Sequence, residues 1–249
     1  MTDQAAQAQE GHPSNAQAGH SSLWSRILGV IFSPVVTFGR IAQDPRPVGL
    51  LAFAAIVPAA ATALFLSTEV GKLAMLDETV RRAEAFFGTI SDVQYAAMER
   101  AQGYAAFGTL AQVVAMPLIA MAAAGILKAV FAVVAGAEAT FKQVLAVVAA
   151  SGVILALRQV FVLPLNYVRE SKTSTTNLGV FLPMLPEGSF PARLLGTIDL
   201  FVVWWLAVLA SGLATTYRRP VRTIAITLLG TYGMLALGLA AVLTFVGRS

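Results

Sequence analysis

From residue 221 to residue 246 the chain carries no charged side chain after Arg222. A helix needs about 20 consecutive apolar residues to cross a bilayer, and this run exceeds that. Four more runs of the same kind lie at 48–68, 105–136, 144–164 and 194–216, and together they predict five membrane-spanning helices. The expected fold class is therefore all-α, a polytopic membrane bundle. Composition agrees, with 57% apolar and 12% charged residues, where a soluble domain carries about a quarter charged.

The few charges inside the runs carry the most information, because Lys, Arg or Asp near the centre of a span costs about 2.5–3.5 kcal/mol on insertion scales. Lys128, Arg158 and Asp199 are the three. With the N-terminus inside, Arg158 falls in the outer third of the third run and Asp199 just over one turn into the fourth, at matching depth. That match predicts an ion pair holding the two helices together; the alternative is that each snorkels separately to the outer headgroups. Lys128 lies two turns before Gly136 and is expected to snorkel to the inner interface. Pro58 and Pro117 are candidate kinks.

Small residues give a second signal. Gly125/Ala129 and Ala132/Gly136 stand four apart on the second run, the spacing that lets helix backbones approach. Gly230, Gly233 and Gly238 on the fifth run, with Ser211 and Gly212 on the fourth, add further candidate contacts. The expectation is packing of the second, fourth and fifth helices through these positions, within the chain or with a second copy.

Outside the runs, residues 1–22 hold no large apolar side chain after Met1 and are expected to be a disordered tail. Residues 23–47 form a lead-in of two short helical pieces, started by Ser22 and by Ser33-Pro34. Trp24 is the expected interfacial anchor. Val35, Phe38, Ile41 and Ala42 recur at helical spacing, and two placements are open for that stripe: flat in the headgroup region or against the bundle. In the 69–104 connector, Leu73, Leu76, Val80, Ala83 and Phe87 predict an amphipathic helix, broken at Gly88-Thr89. A second stretch follows with Ile90, Val93, Ala97, Ala101 and Tyr104. It is either a docking surface or a solvated connector.

Orientation follows from Lys and Arg. With the N-terminus inside, Arg26, Arg40, Arg46, Lys128, Lys142, Arg218, Arg219 and Arg222 face the cytoplasm, and the other nine of the 17 basic residues lie outside. Totals do not discriminate, but density does. The turn TYRRPVR concentrates Arg218, Arg219 and Arg222, whereas 69–104 dilutes four basic residues with six acids. The N-terminus is expected in the cytoplasm and the C-terminus outside, in the inner (cytoplasmic) membrane of the cell.

Several function classes drop out. There is no cysteine, and His12 and His20 both sit in the tail, so Ser151 and Ser211 have no imidazole to activate them. No two carboxylates share a span and no phosphate-binding loop occurs. No catalytic residue, cofactor or metal is expected, nor nucleic-acid binding, since no basic stripe is interleaved with aromatics.

Three stretches resemble the Yip family of Ypt/Rab-interacting integral membrane proteins. FSPVVTFGRIAQDPRP (32–47) is similar to its Pro-bounded lead-in, FKQVLAVVAASGVILAL (141–157) to its third-helix opening, and LLGTIDLFVVWWLAVLASGLATTYRRP (194–220) to its fourth helix and basic exit. The resemblance covers about 23–246. It implies a five-helix membrane protein with a cytosolic N-terminal region, here in the form of a prokaryotic relative. Eukaryotic relatives are associated with small-GTPase binding and vesicle traffic. The function expected is a scaffold or recruiter whose partners are the lipid bilayer and other membrane proteins or itself. The alternative is a small permease or channel subunit with a pathway near Arg158 and Asp199, using proline-broken helices.

Overall fold

The computed structural model describes residues 22–101, 105–136, 138–170, 175–186 and 189–246. The tail, apart from Ser22, and Tyr104 lie outside the described residues. Among those described, the helices are α1 (Leu23–Phe32), α2 (Pro34–Gln43), α3 (Pro47–Leu66), α4 (Glu69–Phe87), α5 (Asp92–Ala101), α6 (Ala105–Ala135), α7 (Phe141–Val168), α8 (Phe190–Thr197), α9 (Leu200–Tyr217) and α10 (Val221–Val246). A short 3₁₀ turn, Leu178–Phe181, lies between α7 and α8. Helices α3, α6, α7, α9 and α10 have the length and apolar composition to cross a membrane, which makes this a multi-pass all-α bundle.

Helix α7 is the axis of the bundle. Every residue from Val144 to Ile154 is buried, the mark of a helix surrounded on all sides. Lipid offers no hydrophobic drive to pair helices, so close backbone approach through small side chains does that work. Gly152 is an example: a Cβ there would stand 3.4 Å from the Ala54 Cβ of α3. The one buried hydroxyl in this stretch, Ser151, is satisfied by the Val148 carbonyl at 2.9 Å. Helices α3, α9 and α6 pack around α7, and α10 packs on α9 and α8.

Two helix starts differ from the sequence expectation, and capping explains both. Helix α7 begins at residue 141 rather than 144 because Thr140 and Gln143 form a reciprocal capping box. Gln143 Nε2 also donates to the Ala42 carbonyl at 2.9 Å, tying this end to α2. The same helix runs through Pro164 to Val168 instead of ending there. The fourth span begins at Leu200, not 194, because Asp199 accepts from the Phe201 and Val202 amides at 2.9 and 3.4 Å. Residues 190–197 are split off as the separate helix α8.

The lead-in packs against the bundle. Ile27, Val30, Phe38 and Ile41 are buried, against α7 and α9, while Val35, expected on the same stripe, is exposed. Arg26 is buried with them, its guanidinium 3.3 Å from an Asp44 carboxylate oxygen. In α4 the apolar stripe also departs from expectation. Ala74 and Leu76 are buried, but Leu73 and Phe87 are exposed. Only the first turns of this helix reach the bundle. Its end at Gly88 has φ +78°, a conformation that glycine adopts without strain.

Candidate functional site

The polar centre of the molecule lies where α7, α9 and α10 meet the 175–178 segment. Arg158 of α7 donates to Asp199 Oδ2 through Nε at 3.0 Å and through a terminal nitrogen at 2.7 Å. Thr176 Oγ1 donates to the same oxygen at 2.6 Å. The other carboxylate oxygen, Oδ1, caps α9. On the backbone side, the Asp199 amide donates to the Tyr232 hydroxyl at 3.1 Å, and that hydroxyl donates to the Thr197 carbonyl at 3.0 Å. An isolated bridge pairs Asn177 with Asp199, through Leu178 N to Ile198 O at 2.9 Å and Leu200 N to Thr176 O at 3.0 Å.

One aspartate thus does three things. It starts a helix, neutralises an intramembrane cation and clamps the segment after α7. It sits at the N-cap rather than one turn into a span, which lets its buried carboxylate collect both backbone and side-chain donors. Asp199 is 7% exposed. Both of its carboxylate oxygens are engaged, so the arrangement is built to hold helices together and leaves little polar capacity for a passing solute.

The other candidate residues scatter. Trp24 is 66% exposed on α1 and meets Phe53 of α3 edge-on, with centroids 6.3 Å apart. Lys128 is exposed on α6, lining a cavity at the end of the bundle where α6 leads into α7. Arg218, Arg219 and Arg222 are exposed around the α9–α10 turn. Arg218 closes α9 in the left-handed conformation, φ 52°, and the Arg219 amide reaches back to the Ala214 carbonyl at 3.0 Å.

Within the chain, the small-residue positions differ in what they meet. Among the described residues nothing lies within 4 Å of a Cβ built at Gly125, Gly136, Gly230, Gly233 or Gly238, and Ala129 and Ala132 are exposed. These positions lie on the outward faces of α6 and α10, whereas Ala124, Ala236 and Ala240 of the same helices are buried. Gly212 alone of that set is a close contact: a Cβ there would fall 2.5 Å from Val147 Cγ1 and 2.9 Å from the Phe38 ring. Gly212 thus makes the joint of α9 with α7 and α2 a close one.

A lateral groove of about 640 Å³ runs between α6, α9 and α10, lined among others by Phe131, Trp205, Ile224, Leu228 and Tyr232. The Trp205 Nε1 is buried beside it with no hydrogen-bond partner among the described residues. Thr176, Tyr232, Trp205 and Tyr217 were not legible as site residues. Thr176 lies in a loop with no periodicity, and the tyrosines and tryptophan read as ordinary span residues. Asp199 immediately ahead of an apolar run was the one available capping signal.

A family model for the Yip1 domain matches residues 28–243. No curated protein and no solved structure gives a significant match to the chain.

Proposed function

The chain belongs to the Yip1 domain family, and from that premise we propose that it is a non-catalytic scaffold which receives a transmembrane helix of another membrane protein along its α6–α10 side. The lateral groove carries this reading. It is apolar and about 640 Å³ in volume, and beside it lies a buried indole N–H without a hydrogen-bond partner among the described residues. A neighbouring helix could supply both the apolar side chains and the missing acceptor. Gly230 and Gly125, with nothing within 4 Å, would allow such a helix to come close.

The orientation we infer has the N-terminus in the cytoplasm of a cell whose inner membrane holds the protein. Arg40, Lys142 and Arg218, Arg219 and Arg222 belong to the ends of α2, α7, α9 and α10 that share one face of the bundle, and such clustering marks a cytoplasmic side. A permease with a pathway at Arg158 and Asp199 draws less support, because that pair is consumed by capping and clamping bonds.

The test uses the absence of cysteine. Gly230→Cys should cross-link to a membrane protein or to a second copy in intact membranes, and Trp205→Phe should reduce that adduct severalfold without lowering thermal stability. Cross-linking no stronger than from an exposed position on α4 would refute the reading, as would Asp199-dependent solute uptake in liposomes. Cysteines at 85 and 219 should label from opposite sides; labelling of both from one side overturns the orientation and the five-span topology.

A further inference from the structure

At the end of the bundle where α6 leaves and α7 enters, a second cavity of about 550 Å³ lies between Lys128 of α6, Glu138 of the linker and Tyr217 of α9. Two other polar residues in its wall are already committed: Thr140 and Gln143 bond to each other, and Gln143 holds Ala42. What remains is the Lys128 ammonium, the Glu138 carboxylate and the Tyr217 hydroxyl. Among the described residues neither Lys128 nor Glu138 has an ion-pair partner.

Tyr217 is the independent sign that something is missing. The residue is 3% exposed, and its hydroxyl is buried without a hydrogen-bond partner among the described residues. Its ring is stacked on Phe131 at 5.2 Å and 22°, which holds the hydroxyl in place. Leaving such a group unpaired destabilises the fold, a cost that a ligand oxygen would remove.

The chemistry of the three groups specifies the ligand. Lys128 and Tyr217 are both donors, suited to the oxygens of a phosphate. Glu138 accepts only, and suits an ammonium that still carries N–H bonds. Lys128 lies seven residues before the end of α6, about 10 Å along the helix, and within the apolar span Phe107–Val133. A wall at that depth is reached by an amphiphile more readily than by a solute.

We propose that this cavity holds the headgroup of a membrane phospholipid bearing a phosphate and a primary ammonium, the phosphate on Lys128 and Tyr217 and the ammonium on Glu138. The site adjoins the α6–α10 recruitment face through the Phe131–Tyr217 stack, but it has its own lining and does not rest on that reading.

The test takes the full chain in mild detergent, depleted of lipid and then supplied with phosphatidylethanolamine, phosphatidylglycerol or phosphatidylcholine of matched acyl chains. Native mass spectrometry counts retained lipid and thermal melting follows stability. One phosphatidylethanolamine per chain should be retained in preference to phosphatidylcholine. Tyr217→Phe should melt higher than the parent without lipid, yet hold phosphatidylethanolamine about tenfold more weakly, as expected for one lost bond to a charged group. Lys128→Met should weaken both phosphatidylethanolamine and phosphatidylglycerol. Glu138→Gln should weaken only the former. Equal retention of all three lipids overturns the proposal, as does retention unchanged by Tyr217→Phe. Lys128→Met changes an exposed side chain and so keeps the test decisive if Tyr217→Phe does not fold. Free glycerophosphoethanolamine stabilising the chain as well as the lipid does would overturn the lipid as the source of the headgroup.

Discussion

Helices α6 and α7 are equally hydropathic by sequence, yet 6% of the apolar stretch of α6 is buried and 67% of that of α7. Hydropathy therefore identifies a span without saying where it sits. Small residues alone do not decide it either, since Gly125, Ala129 and Ala132 of α6 face away from the bundle. What distinguishes α7 is its place: α3, α6 and α9 all pack on it, and its small residues Ala146, Ala149, Ala150, Ser151 and Gly152 let them approach. The two helices also treat charge differently. Arg158 of α7 is paired inside the structure, and among the described residues Lys128 of α6 has no ion-pair partner.

The largest test of this contrast exchanges those two cations for methionine. Arg158→Met strands the buried Asp199 carboxylate and should cost about 3–5 kcal/mol, read as thermal unfolding in lipid-depleted detergent. Lys128→Met under the same conditions should stay within about 0.5 kcal/mol of the parent. Comparable losses would erase the distinction. Asp199→Asn, which keeps an N-cap and an acceptor for Thr176, should be milder than Asp199→Ala, because the alanine also removes the cap.

Next in size is packing. Ala149→Leu on α7, or Gly212→Ala opposite it, forces atoms into occupied space and should destabilise by about 1–3 kcal/mol. Ala129→Leu on α6 should be within about 0.5 kcal/mol. Thr140→Ala removes the capping box that starts α7 and should cost about 1 kcal/mol, with the loss shared by Gln143→Ala because the two residues form one unit.

The smallest effect lies outside both helices and gives the reference for a surface ion pair. Burial alone would push the Glu78 carboxyl up, but hydrogen bonds and charge from Arg81 and Arg82 outweigh it and hold it below the usual value of 4.5. A lowered folded-state value means that the contribution is present above about pH 4.5 and is lost as pH falls through the lowered value. Melting in Glu78→Gln should accordingly lose that part of the acid dependence, and only by a few tenths of a kcal/mol for so exposed a network.

The five spans were legible because length and the scarcity of charge are local properties of the chain. Their order of burial was not, because it depends on which faces meet, and a periodic small-residue pattern looks the same whether it faces a helix or lipid. Gly212 and Gly230 are equivalent in sequence and opposite in structure. The Arg158 and Asp199 depths could be matched from the ends of their runs, and the two side chains do meet at 2.7 Å. The rest of that cluster was hidden: Thr176 arrives from a loop and Tyr232 from a helix whose register against α9 no local pattern reveals. The mistaken start of the fourth span has the same root. An aspartate inside an apolar run was read as a cost to be offset, when its position at a helix start makes it the signal for where the helix begins.

That start has a mechanical consequence. By beginning at Asp199, α9 keeps only 18 residues, about 27 Å of helix against a hydrocarbon thickness near 30 Å. Its neighbour α6 has 31 residues, about 46 Å. One flank of the protein is thus shorter than the bilayer and another considerably longer. Lipid must thin beside the first, while the second must tilt or protrude. A chain shaped this way meets a bilayer with two opposed mismatches, a short one along α9 and a long one along α6.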